Sequence, residues 1–316
     1  NTNDSCLPIL LPQIESTATI EIIEIASGEE NKNLDTCTGV WNVLTELGAD
    51  RKSLLINLGG GVVTDLGGFV ASCFKRGIPF INIPTTLLSM VDASVGGKTG
   101  VDLGVLKNQI GLFSDPEMVL IDSQFLATVS ERELRSGFAE IIKYGLTYDV
   151  KLWGEIKETK HLLNIDLNKV IYRSIEIKNV VVTEDPKETG IRKILNYGHT
   201  LGHAIESYFL ASEEKEKLTH GEAIVVGMIT EAYLSEKLLG FPSDKVVEIK
   251  SFLLTVYPKI HFDSKDYEGI LELLIHDKKN VGGEVNFVLL SDFEQFKLDC
   301  KVQKSLLIDA LDYYSN

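Results

Sequence analysis

The chain has few cysteines, and no two of them lie close together in the sequence. Only four occur in 316 residues, at positions 6, 37, 73 and 300, and none forms a Cys-x-x-Cys motif. This spacing excludes a disulfide framework and a zinc knuckle, and free thiols are typical of the reducing cytoplasm. Long apolar runs are lacking too, so the sequence predicts no membrane span.

Positive charge is also scarce. The sequence holds 31 lysines and arginines against 46 aspartates and glutamates, which gives a formal net charge of -15. Nucleic acid is therefore excluded as a bulk partner, although local lysines can still bind a small anion. No internal repeat or low-complexity tract occurs. The length predicts about two domains, and an apolar content of 44% is ordinary for a globular enzyme.

Predicted strands and helices alternate in the first part of the chain. Residues 53–58, 80–83 and 118–122 are short apolar runs typical of buried strands, and a helical pattern over 62–76 follows the first of them. Because strands that alternate with helices pair in parallel, this part of the chain predicts a parallel sheet.

Helical periodicity dominates after residue 130. Ser130 and Glu133 fit a capping box that opens the first helix of this part. We therefore predict an α/β domain with a parallel sheet and a dinucleotide site over 1–129, and a mainly α-helical, metal-binding domain over 130–316. The helical segments are 131–147, 167–184, 196–211, 220–239 and 244–256, and a turn with a late strand follows at 282–290.

A run of glycines follows the first predicted strand. Gly59, Gly60 and Gly61 precede a helix that carries Asp65, and glycines at such a turn let the backbone approach a pyrophosphate. The spacing is not Gly-x-Gly-x-x-Gly, so a purely structural turn fits equally well. After the next strand, Pro84-Thr85-Thr86 offers hydroxyls for ribose or phosphate, or a helix cap.

A second glycine-rich segment spans residues 92–100 and contains Gly-Gly-Lys-Thr. A P-loop is excluded, because its first glycine would fall on Val91. Lys98, with Lys107 and Asn108 further along, still suits a phosphate or a carboxylate, and the alternative is a solvated loop.

Three of the six histidines lie within 22 residues. His199 and His203 share one face of a predicted helix, and His220 precedes an apolar run. Imidazole is the usual nitrogen ligand of zinc, so these residues predict a metal site that needs one or two further ligands. The alternative is a polar helix face with incidental histidines.

Charged residues surround this histidine cluster in the sequence. Glu140 and Lys143 lie three residues apart on one helix face, and their apolar neighbours predict a buried pair rather than a surface ion pair. Lys178 and Arg192 precede the histidines and Lys278-Lys279 follow them. In an acidic protein, cations near a metal site indicate an anionic substrate.

One family combines all of these motifs. They occur together at Gly59–Phe69, Pro84–Leu88, Asp92–Lys98, Lys107-Asn108, Glu140-x-x-Lys143, Asn196-x-x-His199-x-x-x-His203, His220-Gly221-Glu222 and Asp277-Lys278-Lys279. From about residue 27 to residue 290, the chain resembles the 3-dehydroquinate synthase family. The resemblance implies NAD and a divalent metal, normally zinc with cobalt as the alternative.

The resemblance also implies a reaction and a setting. 3-Deoxy-D-arabino-heptulosonate 7-phosphate (DAHP), a sugar-acid phosphate, would become 3-dehydroquinate with release of phosphate. That is a carbon–oxygen lyase step of the shikimate pathway, which leads to the aromatic amino acids. A cytoplasmic homodimer is implied as well.

Individual residues receive roles from the same resemblance. Glu140, His199 and His220 match the metal ligands, and His203 matches a catalytic histidine that is not a ligand. This replaces the interpretation from spacing alone, in which His199 and His203 bind the metal together. The residues that would surround the substrate are Asp92, Lys98, Asn108, Lys143, Lys178, Arg192, Asn196, His203 and one of Lys278 and Lys279, with Arg76 reaching the phosphate from a neighbouring subunit. The matching dinucleotide contacts are Glu29, Lys32, Gly59, Gly60, Gly61, Asp65, Thr85, Thr86 and Lys107.

Two alternatives stay open. Another sugar-phosphate cyclase, making an inosose or a valiolone, would share the metal and dinucleotide residues and differ where the substrate binds. The set Lys178, Arg192, Asn196 and His203 favours dehydroquinate synthase over such an enzyme. A metal-dependent polyol or glycerol-phosphate dehydrogenase would share the broad architecture, but it would form NADH stoichiometrically.

Overall fold

The chain divides into two compact units. A computed structural model describes residues 2–104, 106–159, 164–274 and 285–316, and the units are Asn1–Leu134 and Arg135–Asn316. The boundary falls in the first turn of a helix, Glu131–Thr147, so one helix contributes to both units.

The N-terminal unit combines strands with helices. Its helices are α1 (Thr2–Ser5), α2 (Leu7–Leu10), α3 (Leu34–Glu46) and α4 (Gly61–Cys73), and its strands are β1 (Leu55–Gly59), β2 (Phe80–Pro84), β3 (Lys98–Leu103), β4 (Leu106–Phe113) and β5 (Met118–Val119). Short 3-10 turns occur at Leu11–Gln13, Glu29–Asn31, Phe74–Arg76 and Ser123–Thr128, and a π-helical turn at Ser89–Ala93.

The three strands predicted from apolar runs form a parallel sheet, as the sequence predicts, and their order in it is β1-β2-β5. Ile56 of β1 pairs with Ile81 of β2, which pairs in turn with Met118 of β5. β3 and β4 form a separate antiparallel hairpin. The sequence left a solvated loop open as one interpretation of 92–100, whereas its last three residues belong to β3.

Helix α4 lies against the sheet because its sequence is small and apolar. Phe69 and Val70 of α4 pack in one core with Phe80 of β2 and Val101 of β3, and each such side chain contributes about 1.5–3 kcal/mol when fully buried. A Cβ atom on Gly67 would lie 2.0 Å from Asn57 Oδ1. The lack of a side chain at that position therefore allows α4 to approach β1 closely.

The predicted helix over 62–76 ends earlier than its pattern suggests. Three consecutive residues, Lys75, Arg76 and Gly77, have positive φ angles of 49°, 70° and 109°. Phe74 is already extended, with φ -63° and ψ 125°, and no right-handed helix continues through the left-handed residues after it, so α4 stops at Cys73.

The C-terminal unit is mainly helical. Its helices are α5 (Glu131–Thr147), α6 (Val150–Glu158), α7 (Leu167–Glu184), α8 (His199–Ala211), α9 (His220–Leu239), α10 (Ser243–Val256), α11 (Ser264–Leu274) and α12 (Lys304–Ser315), with the antiparallel hairpin β6 (Phe287–Asp292) and β7 (Gln295–Cys300). The backbone N–H of Glu133 donates to the Ser130 hydroxyl at 3.3 Å, as in the predicted cap of α5. Residues 282–284 of the predicted turn lie outside the described residues.

Glycines bring α8 and α9 very close together. A Cβ atom on Gly227 of α9 would lie 1.8 Å from the carbonyl oxygen of Gly198, the residue that caps α8. Gly198 itself has a φ of 79°. The two histidine-bearing helices therefore meet backbone to backbone.

In the part of the chain that the structure describes, no helix combines the length and the apolar character needed to cross a bilayer.

Candidate active site

The structure brings the three histidines together. His199 begins α8, His203 follows one turn later, and His220 begins α9. Each of the three rings offers a nitrogen, and these nitrogens all lie within 4.8 Å of one another. The grouping by itself fits either ligand set, the histidine pair alone or a set that includes a carboxylate.

A buried carboxylate faces two of these histidines. Glu140 Oε1 lies 3.4 Å from His199 Nε2 and 3.6 Å from His220 Nε2. This oxygen is fully buried and accepts no hydrogen bond from any described residue. Two ligands of a tetrahedral zinc, each about 2.0–2.2 Å from the ion, lie roughly 3.3–3.6 Å apart. Both distances from Glu140 Oε1 therefore fit neighbouring ligands of one metal ion.

The other ring nitrogens of the same two histidines are engaged. His199 Nδ1 lies 3.1 Å from the carbonyl oxygen of Tyr197, and His220 Nδ1 lies 3.3 Å from Glu206 Oε2. Both contacts leave Nε2 directed toward Glu140. Burial alone would lower the pKa of His220, but the carboxylates of Glu206 and Glu140 outweigh it and raise that pKa to about 9. The site thus attracts a positive charge.

Glu140 and Lys143 form the predicted buried pair. Lys143 Nζ contacts Glu140 Oε2 and donates to the carbonyl oxygen of Leu195 at 2.7 Å. The exposed fractions of the lysine and glutamate side chains are 1% and 0%. The prediction that this pair is buried is confirmed. The second carboxylate oxygen is left to face His199 and His220.

The segment before α8 carries two further predicted residues, Arg192 and Asn196. The carboxylate of Asp185 accepts hydrogen bonds from the backbone N–H groups of Thr189, Gly190 and Arg192, at 3.0, 2.6 and 3.1 Å. Although burial opposes it, these hydrogen bonds lower the pKa of Asp185. Arg192, only 1% exposed, donates to the carbonyl oxygen of Pro186 at 2.7 Å. The loop therefore has a fixed shape before α8 begins.

Sequence reasoning missed a carboxylate in this loop. Asn196 Nδ2 donates to Glu188 Oε1 at 2.6 Å, and Glu188 has a positive φ of 59°. A non-glycine residue held in the left-handed region is an observation that points to function. Glu206 was missed as well, although its position seven residues after His199 places it on the histidine face of α8.

In the N-terminal unit, the glycine turn links β1 to α4. Gly60 caps the 13-residue α4, whose first turn supplies N–H donors and the positive end of a helix dipole. A Cβ on Gly60 would lie 3.0 Å from Thr86 Cγ2. Thr86 also accepts a hydrogen bond from the Ser89 backbone at 3.3 Å. Packing explains the glycine at position 60, and capping explains the hydroxyl of Thr86. The N–H donors in the first turn of α4 still suit a dinucleotide phosphate.

Four of the predicted dinucleotide contacts meet in one polar cluster. Lys32 Nζ lies 2.8 Å from Glu29 Oε1 and 3.5 Å from Asp65 Oδ2, and Lys107 Nζ lies 2.5 Å from Glu29 Oε1. Asn108, predicted at the substrate, joins them because its Oδ1 accepts from Lys32 Nζ at 2.8 Å.

A further aspartate in this cluster was not predicted. Asp102 lies at a β-bulge in the hairpin and accepts from the backbone N–H of Asn108 at 2.6 Å. Its carboxylate also lies 3.7 Å from Lys32 Nζ. Asn108, which has a positive φ of 51°, thus contacts Lys32, and Lys107 before it contacts Glu29.

The cluster contains more carboxylates than lysines. Burial raises the pKa of Asp65 to about 6, against the lowering effect of Lys32. Burial would lower the pKa of Lys32, but the three carboxylates of Glu29, Asp65 and Asp102 raise it. Asp65 is therefore the carboxylate of this cluster that burial favours in its neutral, protonated form.

The other predicted substrate residues lie in α7, in β3 and in turns, or outside the described residues. Lys178 is buried in α7, Lys98 is exposed at the start of β3, and Asp92 lies in the π-helical turn. Arg76 is exposed and in the left-handed region. Lys278 and Lys279 lie outside the described residues.

A strand–glycine–helix turn in one unit and a buried carboxylate–histidine cluster in the other are features of NAD- and metal-dependent enzymes that act on hydroxylated substrates. Comparison with known sequences identifies the family. Residues 22–136 match the 3-dehydroquinate synthase N-terminal domain and residues 137–280 match its C-terminal domain. The chain belongs to the 3-dehydroquinate synthase family.

Relatives with this name match most of the chain. The 3-dehydroquinate synthase of Parabacteroides distasonis is 42% identical over 99% of this chain and 89% of its own length. That of Methylacidiphilum infernorum is 44% identical over 85% of this chain and 74% of its own length. The resemblance stated from the sequence is therefore confirmed at the level of the family.

Solved structures of sugar-phosphate cyclases share the fold. A 2-deoxy-scyllo-inosose synthase, solved with carbaglucose-6-phosphate, NAD+ and Co2+, has a TM-score of 0.81 and 30% identity over 92% of this chain and 82% of its own. The 2-epi-5-epi-valiolone synthase of Streptomyces hygroscopicus, solved with NAD+ and Zn2+, has a TM-score of 0.79 and 26% identity over 92% and 81%. A probable glycerol dehydrogenase of Sinorhizobium meliloti, 14% identical over 89% and 81% with a TM-score of 0.55, shares only the fold.

Proposed function

We propose that the protein converts DAHP into 3-dehydroquinate and inorganic phosphate, with NAD and a divalent metal as cofactors. The reaction is the carbon–oxygen lyase reaction of its family. The observation that carries the proposal is 42% identity to a 3-dehydroquinate synthase over 99% of the chain. Sugar-phosphate cyclases of the same fold were solved with NAD+ and with Co2+ or Zn2+.

The metal would be held by Glu140, His199 and His220. The facing oxygen of Glu140 lies 3.4 and 3.6 Å from the two Nε2 atoms, as neighbouring ligands of one ion would, and it is buried and accepts no hydrogen bond from any described residue. Three protein ligands leave a position open for substrate oxygens, as a catalytic zinc site requires. Lys143 holds the second oxygen of Glu140 and thereby orients the carboxylate.

NAD would be held by the glycine turn and the polar cluster of Glu29, Lys32, Asp65 and Lys107. NAD would supply the oxidising power, since a hydride leaves the carbon that bears the hydroxyl and a proton leaves the oxygen, and the metal would polarise that hydroxyl. A ketone formed in this way makes the neighbouring C–H acidic, so that phosphate can leave by elimination.

The chain's own residues would move protons and hold charges. His203 lies beside the two proposed ligands, with ring centroids 5.1 Å from His199 and 5.7 Å from His220, and it would take the proton of the reacting hydroxyl. Arg192 and Lys178 would bind the substrate carboxylate or phosphate. Asn196, held by Glu188, would orient a substrate hydroxyl.

The decisive experiment measures phosphate release from DAHP with zinc and NAD well below the concentration of substrate. The expected result is one phosphate per 3-dehydroquinate with no net NADH, and its loss in the His199→Ala variant. Build-up of NADH in step with product would instead make the enzyme a dehydrogenase. Turnover of a hexose or heptulose phosphate but not of DAHP would make it another cyclase.

We propose further that the enzyme is a homodimer of the cytoplasm. Arg76 supports the assembly, because it is exposed, held in the left-handed region, and matches an arginine that reaches the substrate of a neighbouring subunit. Light scattering coupled to size-exclusion chromatography should give twice the 35.0 kDa mass of the chain. A mass of one chain at assay concentration would contradict the proposal.

A further inference from the structure

We propose that Glu206 is a positioning residue for the metal site. By accepting a hydrogen bond from His220 Nδ1–H, its carboxylate fixes the ring and the tautomer in which His220 presents Nε2 to the metal. The inference rests on the proposed function, because it takes Glu140, His199 and His220 as the ligands.

The contact joins the two helices that carry the histidines. Glu206 lies on α8, two turns beyond His199, and its Oε2 is 3.3 Å from Nδ1 of His220, the first residue of α9. On the opposite side of the same ring, Nε2 is 3.6 Å from Glu140 Oε1. The two carboxylates thus lie at the two nitrogens of one imidazole, and Glu206 itself is only 6% exposed.

His199 shows the same arrangement with a different acceptor. Its Nδ1 lies 3.1 Å from the carbonyl oxygen of Tyr197. A carbonyl oxygen can only accept, so the proton of neutral His199 is on Nδ1 and the lone pair is on Nε2. An ionised carboxylate imposes the same tautomer on His220. Both ligands are thereby prepared for binding through Nε2.

The hydrogen-bond acceptors of the two histidines differ in whether mutagenesis can remove them. The acceptor of His199 belongs to the backbone and cannot be removed by substitution. The acceptor of His220 is a side chain. Carboxylates that hold the second nitrogen of a metal-bound histidine orient the ring and raise its basicity, and their loss typically weakens metal affinity 10–100-fold.

The test compares Glu206→Ala and Glu206→Gln in the full chain after removal of metal with a chelator. Co2+ is titrated by visible absorbance, and Zn2+ affinity is measured by competition with a chromophoric chelator. Both variants should bind the ions more weakly, with a loss of about 10–100-fold for alanine. Glutamine keeps the shape and one acceptor oxygen but not the charge, so its loss should be smaller.

Asp266→Asn is the matched control. Asp266 is a carboxylate of the same unit, 8% exposed, that accepts from Tyr208 at 2.8 Å and pairs with Lys215 at 2.8 Å. Its replacement should leave Co2+ affinity unchanged even if it lowers thermal stability. If the alanine variant of Glu206 does not fold by circular dichroism, the glutamine variant decides the question.

The metal affinities of the Glu206 and His220 variants test two separate claims, the role of Glu206 and the identity of the metal ligands. Unchanged Co2+ and Zn2+ affinity in the folded Glu206 variants, with metal lost in His220→Ala, would overturn the role of Glu206 and keep the ligand set. Wild-type affinity in His220→Ala would overturn the ligand set itself, and with it the metal site of the proposed function.

Discussion

His199 and His203 lie one helical turn apart, yet only His199 is proposed to bind the metal. The difference lies in what each ring faces. His199 directs Nε2 to the buried Glu140 oxygen and is held through Nδ1 by a carbonyl group. It is 7% exposed, whereas His203 is more accessible. The proposed ligand His220 is also partly exposed, so the contact of its Nε2 with Glu140, and not accessibility, separates the two roles.

Replacing these histidines with alanine should separate the two roles. His199→Ala and His220→Ala should lose bound zinc, because each removes one of three protein ligands. His203→Ala should keep most of the zinc and slow turnover roughly 10²–10⁴-fold, the usual contribution of a positioned acid or base.

Elemental analysis of the purified variants checks this, and His261→Ala, at an exposed histidine far along the chain, is the control that should match the parent protein. Equal loss of zinc from the His203 and His199 variants would return the site to the interpretation from spacing alone.

Asp65 predicts a pH dependence of stability. Burial raises its pKa from an ordinary 3.8 to about 6, so between these values the folded state binds a proton that the unfolded state has already lost. Stability contributed at this residue therefore falls as pH rises from about 4 to 6 and stays low above 6. Asp65→Asn removes this loss, and Lys32 keeps Glu29 as a partner.

For Asp65→Asn, the free energy of unfolding without NAD, relative to the parent protein, should grow from pH 4 to pH 7. The increase corresponds to at most about 3 kcal/mol, at about 1.4 kcal/mol for each unit of pKa. Urea unfolding at both values of pH measures it. A difference between the two proteins that shrinks as pH rises would show that pairing with Lys32 outweighs burial.

At the scale of elements, glycines decide how closely the histidine-bearing helices approach. Gly227→Ala would place a Cβ 1.8 Å from the Gly198 carbonyl oxygen, and backbone cannot move aside as a flexible side chain can. We expect the free energy of unfolding to fall by about 1–3 kcal/mol. Zinc should also bind more weakly, because His199 and His220 would move apart.

Gly154→Ala is the paired substitution. Gly154 lies inside α6, and a Cβ there meets nothing within 4 Å. The Gly154→Ala substitution should stabilise the protein by about 0.5–1 kcal/mol, since alanine loses less conformational freedom than glycine when the helix forms. Thermal unfolding of both variants, with zinc content alongside, gives the comparison, and similar behaviour of the two would mean that α8 and α9 can separate at no cost.

The elements predicted best are those whose own sequence determines them. Helices α7 and α9 have the predicted bounds, because their apolar residues recur with helical spacing between clear caps. The hairpin of β3 and β4 was not predicted as such. Its register depends on a bulge at Asp102 and on cross-strand pairs, which no local pattern reveals.

The candidate active site also contains residues that the sequence predicts and residues that only the structure reveals. Glu140, Lys143 and the histidines follow from spacing and apolar neighbours. Their separation into ligands and proton carrier came from the family resemblance, and the facing of Nε2 toward Glu140 became visible only in three dimensions. Glu188 is recognisable only through its backbone angle and its contact with Asn196.

At the scale of the whole molecule, a net charge of -15 has to be reconciled with anionic ligands. Screening limits the reach of surface charge to about 8 Å at physiological salt. Nearby lysines and arginines therefore decide whether a phosphate or a carboxylate binds, and the buried Arg192 and Lys178 are the cations proposed for this role.

The two cofactors should stabilise different parts of the chain. All three proposed metal ligands lie in Arg135–Asn316, and all nine proposed NAD contacts lie in Asn1–Leu134. A ligand that binds only the folded state stabilises it by RT ln(1 + [L]/Kd), about 2.7 kcal/mol at 100 times Kd. Amide hydrogen exchange reads this locally, because helices and strands open with different free energies. Zinc added to chelator-treated protein should slow exchange in α5, α8 and α9, where its ligands lie, and NAD should slow exchange around the β1–α4 turn and residues 29–32. Protection by zinc that centres on the glycine turn, with α8 and the start of α9 unchanged, would contradict the assignment of the metal to the histidine cluster.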